Sequence, residues 1–141
     1  MRLLITTDKE TKQEGFSVIV IEKEGDQEQI DKVIDSCCTM LVIEGAADIL
    51  PYEQSVELIT KSIRKIRLNG EIIVRGVSFE HLSSMYKATE INIEDVNKQI
   101  LNINSFQDHK NIIYNFDRSN FTVESLTFAE ATYEIRATRN D

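Results

Sequence analysis

The sequence predicts an α/β domain built on an open, mostly parallel sheet, flanked by helices and closed by a C-terminal antiparallel hairpin. Three observations predict it. The branched apolar run Ser17-Val18-Ile19-Val20-Ile21 suits a strand buried on both faces, as in a parallel sheet, and Thr39-Met40-Leu41-Val42-Ile43 reads as a further strand. Between Pro51 and Val77 an amphipathic helix runs into a third such strand. The C-terminal runs Phe121 to Phe128 and Tyr133 to Arg139 alternate apolar and polar residues around a short join, the pattern of a hairpin at a sheet edge. At 141 residues the chain has the size of one domain, residues 1–141, able to bury roughly two thirds of its unfolded surface.

Taken in order, Arg2 to Thr6 reads as a short strand and Asp8 to Gly15 as a polar connection. Ser17 to Ile21 is the second strand, ended by Glu22 to Gly25. Asp26 is placed to cap a helix through Ser36, with Ile30, Val33 and Ile34 on its apolar face. The third strand, Thr39 to Ile43, stops at Glu44-Gly45. In the next helix Val56, Ile59, Ile63 and Ile66 share one face, Pro51 suits the first helical position, and Gly70 suits a left-handed stop. Strand Glu71 to Val77 follows, so strand and helix alternate as right-handed crossovers require. Ser78 is placed to cap a short helix holding Phe79, Leu82, Met85 and Tyr86, and Asn92 or Glu90 opens another around Val96 and Ile100. Ser105 to Phe116 reads as a last helix, with Phe106, Ile112, Ile113 and Phe116 on its apolar face.

The net charge of −8 argues against nucleic acid as the main ligand, because affinity for a phosphate backbone rests on clustered Lys and Arg. The local basic cluster Lys61, Arg64, Lys65 and Arg67 reads as a solvated face near a helix C-terminus. Neither a signal peptide nor a bilayer-spanning run is read, which predicts a protein without membrane contact, cytoplasmic or held within a viral or other macromolecular assembly. Cys37 and Cys38 are adjacent and lack the spacing of a zinc site, so they read as reduced packing residues and no metal is expected. The two histidines, His81 and His109, are each isolated on a predicted helix.

Certain of these segments resemble a known family. The strand ending at Glu44-Gly45, Leu50-Pro51-Tyr52 opening a helix, and Ile63-Arg64-Lys65-Ile66-Arg67-Leu68-Asn69-Gly70 leading into Glu71 to Val74 resemble the second half of class I S-adenosylmethionine-dependent methyltransferases. The close, Ser119 to Val123 and Ala131 to Ala137, resembles that family's final antiparallel pair. The resemblance covers about the C-terminal two thirds and implies a Rossmann-like sheet. The front half departs from the family. Cofactor-binding members carry a glycine-rich turn after the first strand, whereas here Thr6-Thr7-Asp8-Lys9-Glu10-Thr11 follows, with no glycine before Gly15 and too few residues for the usual crossover helix.

Two functional expectations follow. The first is a reduced methyltransferase-like domain without catalysis and without a cofactor, serving as an interaction or assembly subunit with a protein partner or as a homo-oligomer. A shortened front half would leave one sheet face poorly covered, and the run Ser17 to Ile21 would then seek a partner surface. The alternative is an S-adenosylmethionine-dependent methyltransferase with a minimal site. The resemblance would then give Glu22, Glu44 and Gly45 to the cofactor and place Asp48 beside the transferred methyl group. Residue chemistry alone offers Asp48 a plainer role, as the cap of the helix that begins near Pro51.

Overall fold

The structure is a computed structural model describing residues 1–141. The strands are β1 (Arg2–Thr6), β2 (Ser17–Val20), β3 (Cys38–Glu44), β4 (Ile66–Val77), β5 (Phe121–Ala129) and β6 (Thr132–Arg139). They form one sheet in the order β2-β1-β3-β4-β6-β5. The first four are mutually parallel, and β6 pairs antiparallel with both β4 and β5. The helices are α1 (Tyr52–Lys65), α2 (Phe79–Lys87), α3 (Ile93–Ile100) and α4 (His109–Arg118), and Asp26–Lys32 is a 3-10 segment. The architecture is therefore the predicted one, with a mostly parallel sheet, flanking helices and a closing hairpin.

One face of the sheet carries the main core. Leu3, Ile5, Leu41, Ile43, Ile72, Val74 and Ile135 pack there against Ile30 of the 3-10 segment, Leu58 and Ile59 of α1, and Ile112 and Phe116 of α4. Burying each such side chain contributes about 1.5–3 kcal/mol. The other face has no helix in its apolar cluster: Leu4, Val42 and Ile73 are covered by Phe16 and Met40. Beside them runs a charged ladder, Glu44 to Arg75 at 3.5 Å, Arg75 to Glu134 at 2.7 Å, Glu134 to Arg136 at 2.9 Å and Arg136 to Glu71 at 3.3 Å. The face expected to be poorly covered thus carries no helix, only the segment returning through Phe16 and ion pairs that keep their charges half in water.

Several local expectations are corrected. β2 is an edge strand, with Val18 36% exposed, rather than a strand buried on both faces; a branched run has the same sequence signature at either place. Asp26 does not open a long helix. Its carboxylate accepts the Glu22 and Lys23 N–H groups at 2.8 and 3.0 Å, and the 3-10 segment ends at Lys32, leaving Ile34 77% exposed.

In α1, Pro51 is the cap and the helix stops at Lys65, with Ile66 already extended. The buried face is Ser55, Leu58, Ile59, Ser62 and Lys65, displaced around the helix from the predicted one because two serines turn inward. Lys65 is 8% exposed and meets Asp35 at 2.7 Å, while Lys61 bridges Asp31 and Glu57, so half of the expected solvated cluster is paired. Gly70 lies inside β4 rather than at a helix stop, and Asn69 takes the left-handed conformation with φ 63°. Gly70 is required by close approach, since a Cβ there would lie 2.8 Å from the Cys38 main-chain oxygen. The last helix starts later than predicted, capped by Asp108, whose carboxylate accepts the Lys110 N–H at 2.9 Å. Ser78 and Asn92 cap α2 and α3 as the sequence suggests.

Candidate functional site

The carboxyl ends of the parallel strands form the edge at which ligands gather in open α/β sheets. Beyond β3 the loop Gly45 to Leu50 is held from several sides. The Gly45 N–H donates to the Arg75 oxygen at 3.0 Å, Ser55 Oγ donates to the Ala47 oxygen, and Ser105 Oγ donates to the Leu50 oxygen at 2.8 Å. The Asn104 and Ser105 N–H groups both donate to the Asp48 main-chain oxygen, at 2.7 and 3.1 Å.

Asp48 is not the cap of α1, because Pro51 occupies that position and no side chain bonds there. It is 5% exposed, and its Oδ2 accepts the Val77 N–H at 3.0 Å across the end of β4. Its Oδ1 has no partner, and neither has the hydroxyl of fully buried Tyr133. Gly76 lies between them and pairs with Tyr133 in the β4–β6 register. A Cβ on Gly76 would stand 2.6 Å from Tyr133 Oη and 3.0 Å from Asp48 Oδ1, so only glycine leaves these two groups room. Burial pushes the Asp48 carboxyl up to about 7, against the opposing pull of the Val77 N–H. Burial also raises the Tyr133 phenol, and the Asp48 charge raises it further. A carboxyl poised near neutrality can hold or release a proton under ordinary conditions.

The two histidines, isolated in sequence, meet here. The His81 ring stacks on Phe128 at 3.7 Å and 14°, and His109 stands edge-on to the same ring at 5.2 Å. Their centroids are 6.4 Å apart, and His109 lies 6.3 Å from Tyr133. Ser78 Oγ accepts the His81 N–H at 3.2 Å and lies at the same distance from His81 Nδ1. A cavity of about 380 Å³ opens between the N-termini of α2 and α4, with Ser78, Phe106, Gln107 and His109 in its wall; the Gln107 Nε2 is buried without a partner. Sequence reasoning did not single out His81, His109 or Tyr133 for this place. The available signal was Tyr133 opening an alternating run, and only the β4–β6 register carries it to Gly76.

The residues assigned to a cofactor are dispersed. Glu22, at the end of β2, lines a cleft of about 570 Å³ with Thr7, Asp8, Lys9, Ile21 and Ile49. Glu44 instead joins the charged ladder through Arg75, on the face away from the main core. Gly45 turns the chain with φ 68°. Asp48 looks toward β4 and β6, so it shares no wall with the Glu22 cleft. Along the cleft several main-chain donors are engaged. The Asp8 N–H donates to Thr6 Oγ1 at 3.2 Å, the Glu10 N–H to Asp8 Oδ1 at 2.9 Å, and the Glu22 and Lys23 N–H groups to Asp26.

No family model matches the chain, and no curated protein matches it. Solved structures do. An O-methyltransferase family protein from Burkholderia thailandensis superposes with a TM-score of 0.59 at 6% identity, over 89% of this chain and 36% of that one. A candidate methyltransferase from Bacillus halodurans gives 0.60 at 8% identity, over 99% and 83%. A complex between a Haloferax volcanii methyltransferase activator and a candidate methyltransferase gives 0.59 at 11%, over 94% and 65%. The chain spans about a third of the Burkholderia protein and most of the Bacillus one. At these identities the likeness is one of fold alone, a fold shared with these solved methyltransferase structures. No helix is long and apolar enough to cross a membrane.

Proposed function

We propose that this chain is a reduced methyltransferase-like domain that works through protein contacts, as an interaction or assembly subunit, and not through cofactor chemistry. The observation that carries this reading is the state of the donors after β1 and β2. A cofactor held at this edge relies on free main-chain N–H groups and a surface bare of side chains. Here the N–H groups of Asp8, Glu10, Glu22 and Lys23 are taken by side chains, three of them by carboxylates. These engaged donors support a reading in which S-adenosylmethionine is not held at this edge. A contact role is supported by the α2–α3 surface, where Phe79, Ile93 and Leu101 are 61, 56 and 77% exposed beside an apolar groove of about 310 Å³. The Haloferax complex shows a protein of this fold associated with another protein.

Isothermal calorimetry with millimolar S-adenosylmethionine tests the reading: no heat and no thermal shift are expected, and saturable binding would overturn it. Light scattering tests the contact role, with a mass above the 16.2 kDa of one chain expected alone or on mixing with a partner. One feature favours the second reading, a methyltransferase with a minimal site: the cleft at Glu22 is roomy and has Ile21 and Ile49 in its wall. On that reading the titration shows binding, and Glu22→Ala abolishes it.

A further inference from the structure

The start of β3 holds sulfur atoms whose arrangement is independent of the cofactor question. Cys37 Sγ lies 3.8 Å from Cys38 Sγ and 3.7 Å from Met1 Sδ. Both cysteines are free, and their separation is far beyond the ~2.05 Å of a disulfide. Adjacent residues of a strand normally send their side chains to opposite faces. Here Cys37 precedes the first residue of β3, so the two sulfurs come to the same side.

We propose that Cys37, Cys38 and Met1 form a three-sulfur site for a soft monovalent metal ion of the Cu(I) class. With metal–sulfur bonds of about 2.3 Å, three sulfurs around a trigonal ion stand about 4.0 Å apart. The Cys37–Cys38 and Cys37–Met1 separations fall just inside that value, and rotation of the Met1 side chain has to close the third edge, between Met1 and Cys38. Thiolate and thioether ligands select Cu(I) over harder ions, and the set holds no imidazole or carboxylate to complete a tetrahedral zinc site. Cys38 is fully buried on the apolar core, Cys37 is half-buried and Met1 is 51% exposed, so the ion would have one fixed ligand and two that can close on it. The long, three-torsion Met1 side chain can supply that adjustment. Entry is available, because Met1 and Cys37 both line an open groove of about 510 Å³ beside β2.

Binding is an exchange of protons for metal without electron transfer. Two thiols lose their protons to solvent as two metal–sulfur bonds form, the thioether adds a third, and the ion keeps its charge.

The test is an anaerobic titration of the full chain with Cu(I) in competition with a chromophoric chelator, repeated with Ag(I), alongside Zn(II). One equivalent of Cu(I) and of Ag(I) is expected, with proton release on binding, and Zn(II) is expected to bind at least tenfold more weakly. Cys37→Ser lies at the half-buried position and should weaken Cu(I) binding at least tenfold while the fold, read by circular dichroism, is retained. Cys38→Ala keeps an apolar group in the core and should do the same. X-ray absorption on the Cu(I) form should show three sulfur neighbours. Equal affinity of the wild type and Cys37→Ser, absence of proton release, or a shell of two sulfurs would each overturn the proposal.

Discussion

Replacing Asp48 by Asn should stabilise the protein, and by an amount that grows with pH. The Asp48 carboxyl is held up to about 7, from its ordinary value of 3.8, chiefly because ionising it inside the fold forfeits water. A folded-state value above the unfolded one means that the folded chain binds the proton more tightly. Well below pH 3.8 both states are protonated and the residue carries no penalty. Between pH 4 and 7 the unfolded chain releases its proton first, so stability falls as pH rises, and above 7 the whole cost is present. The gap of about 3 units corresponds to about 4 kcal/mol at 1.36 kcal/mol per unit. Asparagine keeps an oxygen for the Val77 N–H and presents an amide N–H toward the unpartnered Tyr133 hydroxyl, so nothing is lost in exchange. Urea unfolding of both proteins at pH 4 and pH 8 measures the effect. The two should be nearly equal at pH 4, with the variant ahead by up to about 4 kcal/mol at pH 8, a shift on the order of 10 °C in Tm for a chain of this size. A constant difference at both pH values, or a variant less stable at pH 8, would refute the reasoning.

Other substitutions test the neighbouring geometry. Gly76→Ala should cost about 1–3 kcal/mol by overpacking against Tyr133 and Asp48, and less in a Tyr133→Phe background that removes the closest atom; thermal melts of the two pairs check this. Gly70→Ala should cost about 3 kcal/mol or more, because the Cβ would meet the main-chain oxygens of Cys38 and Arg67 at 2.8 and 2.9 Å and these cannot turn aside. Arg75→Gln removes the cation between Glu44 and Glu134 and should cost on the order of 1 kcal/mol, with the loss shrinking in high salt. Hydrogen bonds from Arg75 and Arg136 hold Glu134 below the usual carboxylate range. Its stabilisation is therefore present above the unfolded value and lost as pH falls through the folded one. In an NMR titration of the variant, Glu134 should titrate at higher pH.

Much of the architecture was legible because it rests on local periodicity. The alternation of β5 and β6 and the branched runs of β1, β3 and β4 each follow from repeats along the chain, and so do the caps Ser78 and Asn92. Where local signals were ambiguous they misled. The run in β2 looks the same at an edge as in a centre, Gly70 could end a helix or admit a neighbouring strand, and Asp48 could cap a helix or close a site. The candidate site was less legible. Glu22 does lie at a cleft, yet Glu44 is drawn into an ion-pair ladder by strands β4 and β6, which no spacing near Glu44 reveals.

By itself, then, the sequence determined the order and type of elements, an acidic surface and the absence of a glycine turn after β1, because each is a property of neighbouring residues. Only the tertiary structure decided that Asp48, Gly76 and Tyr133 converge, that His81 and His109 flank one Phe128 ring, and that the helix-free face carries a small apolar cluster beside an ion-pair ladder. These depend on the β4–β6 register and the strand order, which bring together residues distant in the chain. Burial then changes their chemistry, since a carboxyl that would be ionised in water becomes one that holds its proton near neutrality.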